Sequence, residues 1–134
     1  MVKTLAIILV FLSTTAGLAA SPGLSGEQIR LRVSGNTLVG TEDGLPYFQY
    51  FIDDGTILGM GKEGEYSGHW FIRGNQLCVA YEDDNGYIPQ THNCSRVILR
   101  QNQITATAID DDDPLTLEPG NPRHLTAQGT GGGD

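Results

Sequence analysis

Short runs of β-forming residues separated by turn residues fill the middle of the chain, from 68 to 99. Gly74-Asn75 separates two of these runs, and both residues tolerate the positive φ that a two-residue hairpin loop requires. A loop of that length places Ile72 opposite Leu77, on the same face of the hairpin. Turn chemistry and apolar matching therefore predict the same antiparallel register.

Asn85-Gly86 is a second turn signal. The two cysteines of the chain lie eight residues before and eight residues after Gly86. A hairpin centred there places Cys78 opposite Cys94, where directly opposed Cβ atoms are about 4.5–5.5 Å apart. Modest adjustment brings such a pair within disulfide geometry. We therefore predict a disulfide between Cys78 and Cys94.

The remaining apolar pattern is also one of short strands. Asp54-Gly55 predicts a hairpin between 47–52 and 56–58, and Gln101-Asn102 predicts another between 96–100 and 103–109. Alternating apolar residues at 29–33 predict a half-buried strand with a basic outer face, whereas the glycine-rich, charged segment 59–67 is predicted to be a loop.

These elements define the predicted fold class. It is all-β: an antiparallel up-and-down meander of about seven or eight short strands, forming a small barrel or a sandwich with one disulfide. Closure into a barrel is attractive because it removes exposed strand edges.

The first residues have the layout of a secretory signal. Lys3 precedes a short apolar run, which is followed by small residues. We therefore predict a signal peptide at 1–20, a barrel-like domain at 21–112, and a flexible acidic, Pro- and Gly-rich tail at 113–134. A disulfide fits export to the periplasm or beyond, and the mature chain is predicted to have no membrane span and to be a monomer.

Charge narrows the choice of partner. The chain has 8 basic and 16 acidic side chains, a formal charge of −8, and removal of Lys3 with the signal makes the remainder one unit more negative. Such a balance argues against nucleic acid and anionic membranes, whose affinity for proteins comes from basic patches. The charge is compatible with a basic envelope or extracellular protein as the partner, and equally with plain solubility, which is the commoner reason for such a charge.

Signals for catalysis, cofactors and metals are weak. The acidic run 110–113 lacks the spacing of a calcium loop, and His69 and His92 share a predicted face without a third ligand. No G-x-S-x-G sequence occurs. The sequence therefore predicts no cofactor and no metal, and an enzyme using paired carboxylates ranks last among the functional hypotheses.

Aromatic side chains provide a second functional hypothesis. They could line a cavity for an apolar ligand in the mouth of a barrel, although filling the core of a small domain explains them more simply. The residues concerned are Tyr47, Phe48, Tyr50, Phe51, Trp70, Phe71 and Tyr81.

Several short motifs in a fixed order resemble those of an uncharacterised group of small exported proteobacterial proteins. The motifs are Gly35-Asn36-Thr37, Tyr50-Phe51 with Asp54-Gly55-Thr56, Gly68-His69-Trp70, Leu77-Cys78 and Cys94. The resemblance implies a periplasmic β-rich domain. The chain is similar, more loosely, to lipocalin-like barrels and to periplasmic lysozyme inhibitors; the second likeness implies an inserting loop at Ser67-Gly68.

The leading hypothesis is a non-enzymatic binding or inhibitory module of the bacterial periplasm. Loops on a rigid sheet commonly carry recognition, so the predicted binding surface combines the 59–67 loop with the 82–87 tip. The candidate binding residues are Glu63, Glu65, Tyr66, Ser67, Asp83, Asp84 and Tyr87.

Overall fold

A computed structural model describes residues 23–106 and 114–127. The described parts contain one helix and nine strands, in the following order: α1 (Gly26–Val33), β1 (Asn36–Glu42), β2 (Leu45–Phe51), β3 (Thr56–Gly61), β4 (Gly64–Arg73), β5 (Gln76–Tyr81), β6 (Asn93–Ser95), β7 (Val97–Arg100), β8 (Gln103–Ala106) and β9 (Leu115–Pro119). The predicted signal peptide, the acidic run 110–113 and the end of the predicted tail lie outside the described residues.

All nine strands belong to one antiparallel sheet, with the order β6-β5-β4-β3-β2-β1-β9-β8-β7. The two strands at its edges, β6 and β7, are consecutive in the chain and separated by Arg96 alone. One extended segment therefore pairs with β5 through its first half and with β8 through its second half. This segment bends the sheet into a nearly closed barrel, as the all-β prediction allowed.

The central hairpin has the predicted register. Ile72 pairs with Leu77 across the Gly74-Asn75 turn, and Cys78 pairs with Cys94 and is disulfide-bonded to it. The hairpin at Gln101-Asn102 is also confirmed, with Leu99 opposite Ile104. Turn residues and apolar matching were sufficient signals for the first and last of these hairpins. For Cys78 and Cys94 the signal was their equal spacing from Gly86, since the same register sets Leu77 opposite Ser95.

The predicted strand at 29–33 is wrong, because these residues belong to α1. Ser25 caps the helix: its side chain accepts a hydrogen bond from the Gln28 backbone while the Gln28 side chain accepts one from the Ser25 backbone. Ile29 and Val33, four residues apart, are fully buried, so one helical face enters the barrel. Apolar residues at 29, 31 and 33 fit a strand, but 29 and 33 alone also fit one face of a helix. The Leu31 side chain is indeed left out of the core, since it is 73% exposed.

The predicted loop at 59–67 is wrong as well. Strands β3 and β4 pair from Thr56 opposite His69 to Gly61 opposite Gly64, which leaves a two-residue turn between them. Gly64 has a φ of 105°, a conformation that glycine adopts without strain. The glycines here build a tight hairpin, so the Ser67-Gly68 segment lies within a strand and is not an inserting loop.

Part of the predicted tail is a strand. Residues Leu115–Pro119 form β9, which pairs with β1 on one side and β8 on the other. The segment after it is fixed by Thr37, whose hydroxyl donates to the Gly120 carbonyl at 2.7 Å, and by Leu125, which is buried. The domain therefore extends beyond 112, because β9 is needed to join β1 to β8.

Inward-facing side chains divide the barrel into two parts. The part that we call the helix end has an apolar core formed by α1 and the surrounding strands: Ile29, Val33, Leu38, Phe51, Ile57, Trp70, Leu77, Val79, Val97 and Ile104. At the opposite end, which we call the tyrosine end, the inward positions of β2, β4 and β5 carry Tyr47, Gln49, Tyr66 and Tyr81.

Candidate functional site: an acidic groove on the outer face of the barrel

A groove of about 680 Å³ runs along the outside of β3 and β4. Its floor comes from side chains that alternate outward along the two strands, such as Leu58 and its cross-strand partner Ser67. The segment that follows β5 forms one wall, and Thr126 and Ala127 complete the lining. The lining residues are Thr56, Leu58, Glu65, Tyr66, Ser67, Gly68, His69, Glu82, Asp83, Asp84, Gly86, Thr126 and Ala127.

The wall is fixed to the floor by two hydrogen bonds between β4 and the residue after β5. The Glu82 backbone N–H donates to the Ser67 carbonyl at 2.9 Å, and the Ser67 hydroxyl donates to Glu82 Oε2 at 2.6 Å. Gly68 is buried beneath this contact, and a Cβ added to it would overlap the Ala80 carbonyl oxygen. The close approach of the two strands therefore sets where the wall begins.

The tip of the wall is an ordered turn organised by Asp83. Its carboxylate Oδ1 accepts hydrogen bonds from the backbone N–H groups of Asn85 and Tyr87, both at 2.9 Å. Its backbone N–H donates to the Tyr87 carbonyl, and its own carbonyl accepts from the Gly86 N–H. Aspartate commonly stabilises turns in this way, and here the arrangement holds exposed Asp84 at the apex.

The groove has a strongly acidic lining. Four carboxylates, those of Glu65, Glu82, Asp83 and Asp84, border it, and among the lining residues that the structure describes no lysine or arginine balances them. His69 is the remaining titratable side chain of the outer floor, opposite Thr56. A concave surface with one sign of charge concentrates counter-ions and oppositely charged partners.

Five of the seven predicted binding residues line this groove: Glu65, Tyr66, Ser67, Asp83 and Asp84. The other two lie outside its lining. Glu63 is exposed at the β3–β4 turn, and Tyr87 is 59% exposed just beyond the Asp83 turn. The structure thus brings the two predicted segments together, although one of them is a strand pair and not a loop.

Sequence reasoning missed several lining residues, including Thr56, Leu58 and His69 on the floor. The signal was present, because the register of β3 with β4 follows from the two-residue turn after Gly61. Thr126 and Ala127 carry no comparable signal. They reach the groove only because the chain after β9 crosses the outside of the sheet, where the Arg123 guanidinium lies 4.2 Å from the Phe48 ring centroid.

Tyr66 belongs mainly to the interior of the tyrosine end. Its ring makes an edge-to-face contact with Tyr81 at 5.6 Å between centroids, and it occupies the space that a Cβ on Gly59 would need. Burial raises the pKa of the Tyr66 phenol well above its usual value. The phenol therefore stays neutral at physiological pH and adds no charge to the groove.

The two histidines considered as metal ligands make different contacts in the fold. His69 lines the groove, whereas the His92 ring packs edge-to-face against Phe71 at 4.8 Å and its Nδ1 lies 2.9 Å from the Gln90 carbonyl oxygen. Within residues 23–106 and 114–127, no group of three or more His, Cys, Asp or Glu side chains is arranged to hold a metal ion.

Comparisons with protein-family models, with curated proteins and with solved structures find no match for this chain. In the part of the chain that the structure describes, no helix is both long and apolar enough to cross a membrane.

Proposed function

We propose that this protein is an exported, non-enzymatic binding module that captures a basic segment of an envelope or extracellular protein in its acidic groove. The observation that carries the proposal is the convergence of four carboxylates on one concave surface without a basic side chain among the described lining residues. Complementary charge of this kind favours rapid association and selects against acidic partners.

The shape of the groove supports recognition of an extended segment. Its floor is the outer surface of two paired strands, and its wall is the turn held by Asp83. Backbone pairing holds the floor and the Asp83 hydrogen bonds hold the wall, so we expect little conformational entropy to be lost when a partner binds. Lysine or arginine side chains of the partner would lie near Glu65 on the floor and near Asp84 on the wall.

Export is part of the proposal. The signal-like start of the sequence and the disulfide between Cys78 and Cys94 both favour an oxidising compartment such as the periplasm. An inhibitor of a basic envelope enzyme is a specific form of the proposal, since the acidic lining of the groove would suit a basic enzyme surface.

The test measures binding of two basic probes, a lysine- and arginine-rich peptide and a basic lysozyme, by titration calorimetry. Raising the salt from about 10 mM to about 150 mM shortens the Debye length from about 30 Å to about 8 Å, so affinity should fall. The Glu65→Gln, Asp84→Asn double variant should bind about tenfold more weakly at low salt, if each exposed carboxylate contributes about 0.7 kcal/mol.

The matched control is the Glu27→Gln, Asp53→Asn double variant, which makes the same change in net charge at two exposed residues outside the groove. It should retain the affinity of the original protein. Equal weakening by both variants would show that net charge acts and the groove does not. Absence of binding to either probe at low salt would count against the proposal.

The alternative of an apolar ligand inside the barrel gains less support. Ile29 and Val33 of α1 are fully buried in the core, and the Trp70 indole N–H donates to the Ile52 carbonyl at 2.7 Å. A carried ligand would have to displace these contacts. Uptake of an apolar dye with a shift in Trp70 emission would favour carriage over capture of a basic partner.

A further inference from the structure

The two sulfurs of the disulfide have different surroundings. Cys78 is fully buried on β5, whereas Cys94 on β6 is half-buried. Both lie on the outer face of the barrel, since their neighbours Leu77 and Val79 point into the core. An incoming reagent can therefore reach the Cys94 sulfur more easily than the Cys78 sulfur.

A guanidinium group lies against this disulfide. Arg73 Nη2 is 2.7 Å from Cys94 Sγ and 3.8 Å from Cys78 Sγ. The register explains the contact: Phe71 lies directly opposite Cys78, and Arg73 is two residues further along the same face of β4. The Arg73 guanidinium also lies 5.9 Å from the Phe71 ring centroid, on the ring that His92 contacts.

A positive charge next to a disulfide has a defined chemical effect. It stabilises thiolates, which are the products of reductive cleavage, and it attracts the thiolate that attacks. A leaving thiol with a lowered pKa also departs faster. Arg73 is placed for both effects, because its Nη2 lies 2.7 Å from the Cys94 sulfur, which is attacked, and 3.8 Å from the buried Cys78 sulfur, which leaves.

We propose that Cys94 is a thiol-exchange site, at which a small or protein thiol forms a mixed disulfide. The attacking thiolate bonds to Cys94 Sγ, the bond between the two protein sulfurs breaks, and Cys78 leaves as a thiolate beside Arg73. A second thiolate then attacks the reagent's sulfur in the mixed disulfide. It releases the oxidised reagent and leaves Cys94 as a thiolate, so two thiols are oxidised as one protein disulfide is reduced.

The position of the disulfide gives this exchange a structural consequence. Strand β6 pairs with β5 at only three positions, and Cys78 with Cys94 is the middle one. The same segment continues into β7 and closes the barrel. Reduction would therefore loosen the closing strand together with the 82–92 segment between the two cysteines, which is where the groove wall lies.

The test uses the full chain and glutathione as the probe. Brief exposure of the native protein, followed by acid quenching and peptide mapping, should place the glutathione adduct on Cys94 and not on Cys78. The Arg73→Met variant should be reduced severalfold more slowly, since it lacks the cation that attracts the attacking thiolate and stabilises the departing one.

Three controls separate charge from structure. Arg73→Lys keeps the charge and should retain most of the original rate, and Arg100→Met removes an exposed arginine on β7 and should not change it. In urea, where the contact is lost, all variants should react at the same rate. Loss of stability would accelerate reduction, so a slower Arg73→Met variant cannot arise from partial unfolding.

Two outcomes would overturn the proposal. One is an adduct found on Cys78, or equally on both cysteines. The other is an Arg73→Met variant that is reduced as fast as the original protein in its native state. Neither outcome bears on capture of a basic partner by the acidic groove, which is measured with the disulfide intact.

Discussion

The two ends of the barrel interior are filled by different kinds of side chain. At the helix end, aliphatic and aromatic residues from α1 and the surrounding strands fill the space, with Phe51 and Trp70 in an edge-to-face contact at 5.8 Å between centroids. At the tyrosine end, three half-buried phenols and Gln49 do so. The helix end is mainly apolar, with Ser95 buried opposite Leu77 and the Trp70 indole N–H donating to the Ile52 carbonyl. The tyrosine end is mainly polar, and there the Tyr81 hydroxyl donates to Gln49 Oε1 at 3.0 Å.

The tyrosine end depends on glycines in cross-strand positions. Tyr47 lies opposite Gly40 and Tyr66 opposite Gly59, and in both pairs the ring occupies the volume that a Cβ on the glycine would need. A large aromatic ring covering a glycine restores packing at a strand position that would otherwise be weak. The interior of this end is therefore filled by aromatic rings that lie over glycines of the sheet. The acidic groove lies on the outer face of the same part of the sheet.

The largest effect should come from the helix end. Ile29→Ala removes a fully buried side chain from the centre of the core, and such truncations cost about 2–5 kcal/mol because a cavity remains. Leu31→Ala on the exposed side of the same helix should change stability by less than about 0.5 kcal/mol. Urea unfolding followed by Trp70 fluorescence measures both; equal losses would show that α1 does not enter the core.

An intermediate effect should come from the tyrosine end. Gly59→Ala should cost about 1–3 kcal/mol, because the added methyl group overlaps the Tyr66 ring. Gly61→Ala, two residues along the same strand, meets atoms only at 3.6 Å or beyond and should be close to neutral. If the two variants unfold at the same urea concentration, the tyrosine end is more loosely packed than the structure indicates.

The comparison also shows where sequence reasoning works and where it stops. The hairpins at Gly74-Asn75 and Gln101-Asn102 were predicted to the residue, because turn type and side-chain alternation fix the register together. The hairpin at Asp43-Gly44, which joins β1 to β2, was not predicted. Helix α1 was missed because five residues of alternation fit either a strand or one side of a short helix. The capping box formed by Ser25 and Gln28 was the signal that distinguishes them.

The candidate site was predictable in part. Seven residues near β4 and at the 82–87 tip were predicted to form a binding surface, and five of them line the groove. The β4 residues and the 82–87 tip meet because the pairing of β5 with β4 continues into Glu82. This continuation follows from the register of β4 with β5. The contribution of Thr126 and Ala127 was not predictable, because the path of the chain after β9 depends on long-range contacts such as the burial of Leu125.

The smallest effect concerns the pH dependence of the tyrosine end. Burial raises the pKa of Tyr66 above that of an unfolded tyrosine, which is 10.0. The folded protein therefore binds the phenolic proton more tightly, so its contribution to stability is complete below pH 10 and is lost as pH rises from there toward the folded pKa. Between pH 10 and 11 we expect a loss below about 1 kcal/mol, because water reaches part of this half-buried ring.

Tyr66→Phe removes the ionisable group and keeps the ring over Gly59, so this variant should lose less stability than the original protein over the same pH interval. Tyr87→Phe is the matched control, since Tyr87 is 59% exposed and its substitution should leave the pH dependence unchanged. Absorbance at 295 nm against pH gives an independent measurement: the original protein should show one more late-titrating phenol than Tyr66→Phe. If Tyr66 ionises near pH 10, as an unfolded tyrosine does, water enters the tyrosine end freely, and the contrast between the two ends of the barrel is smaller than their packing indicates.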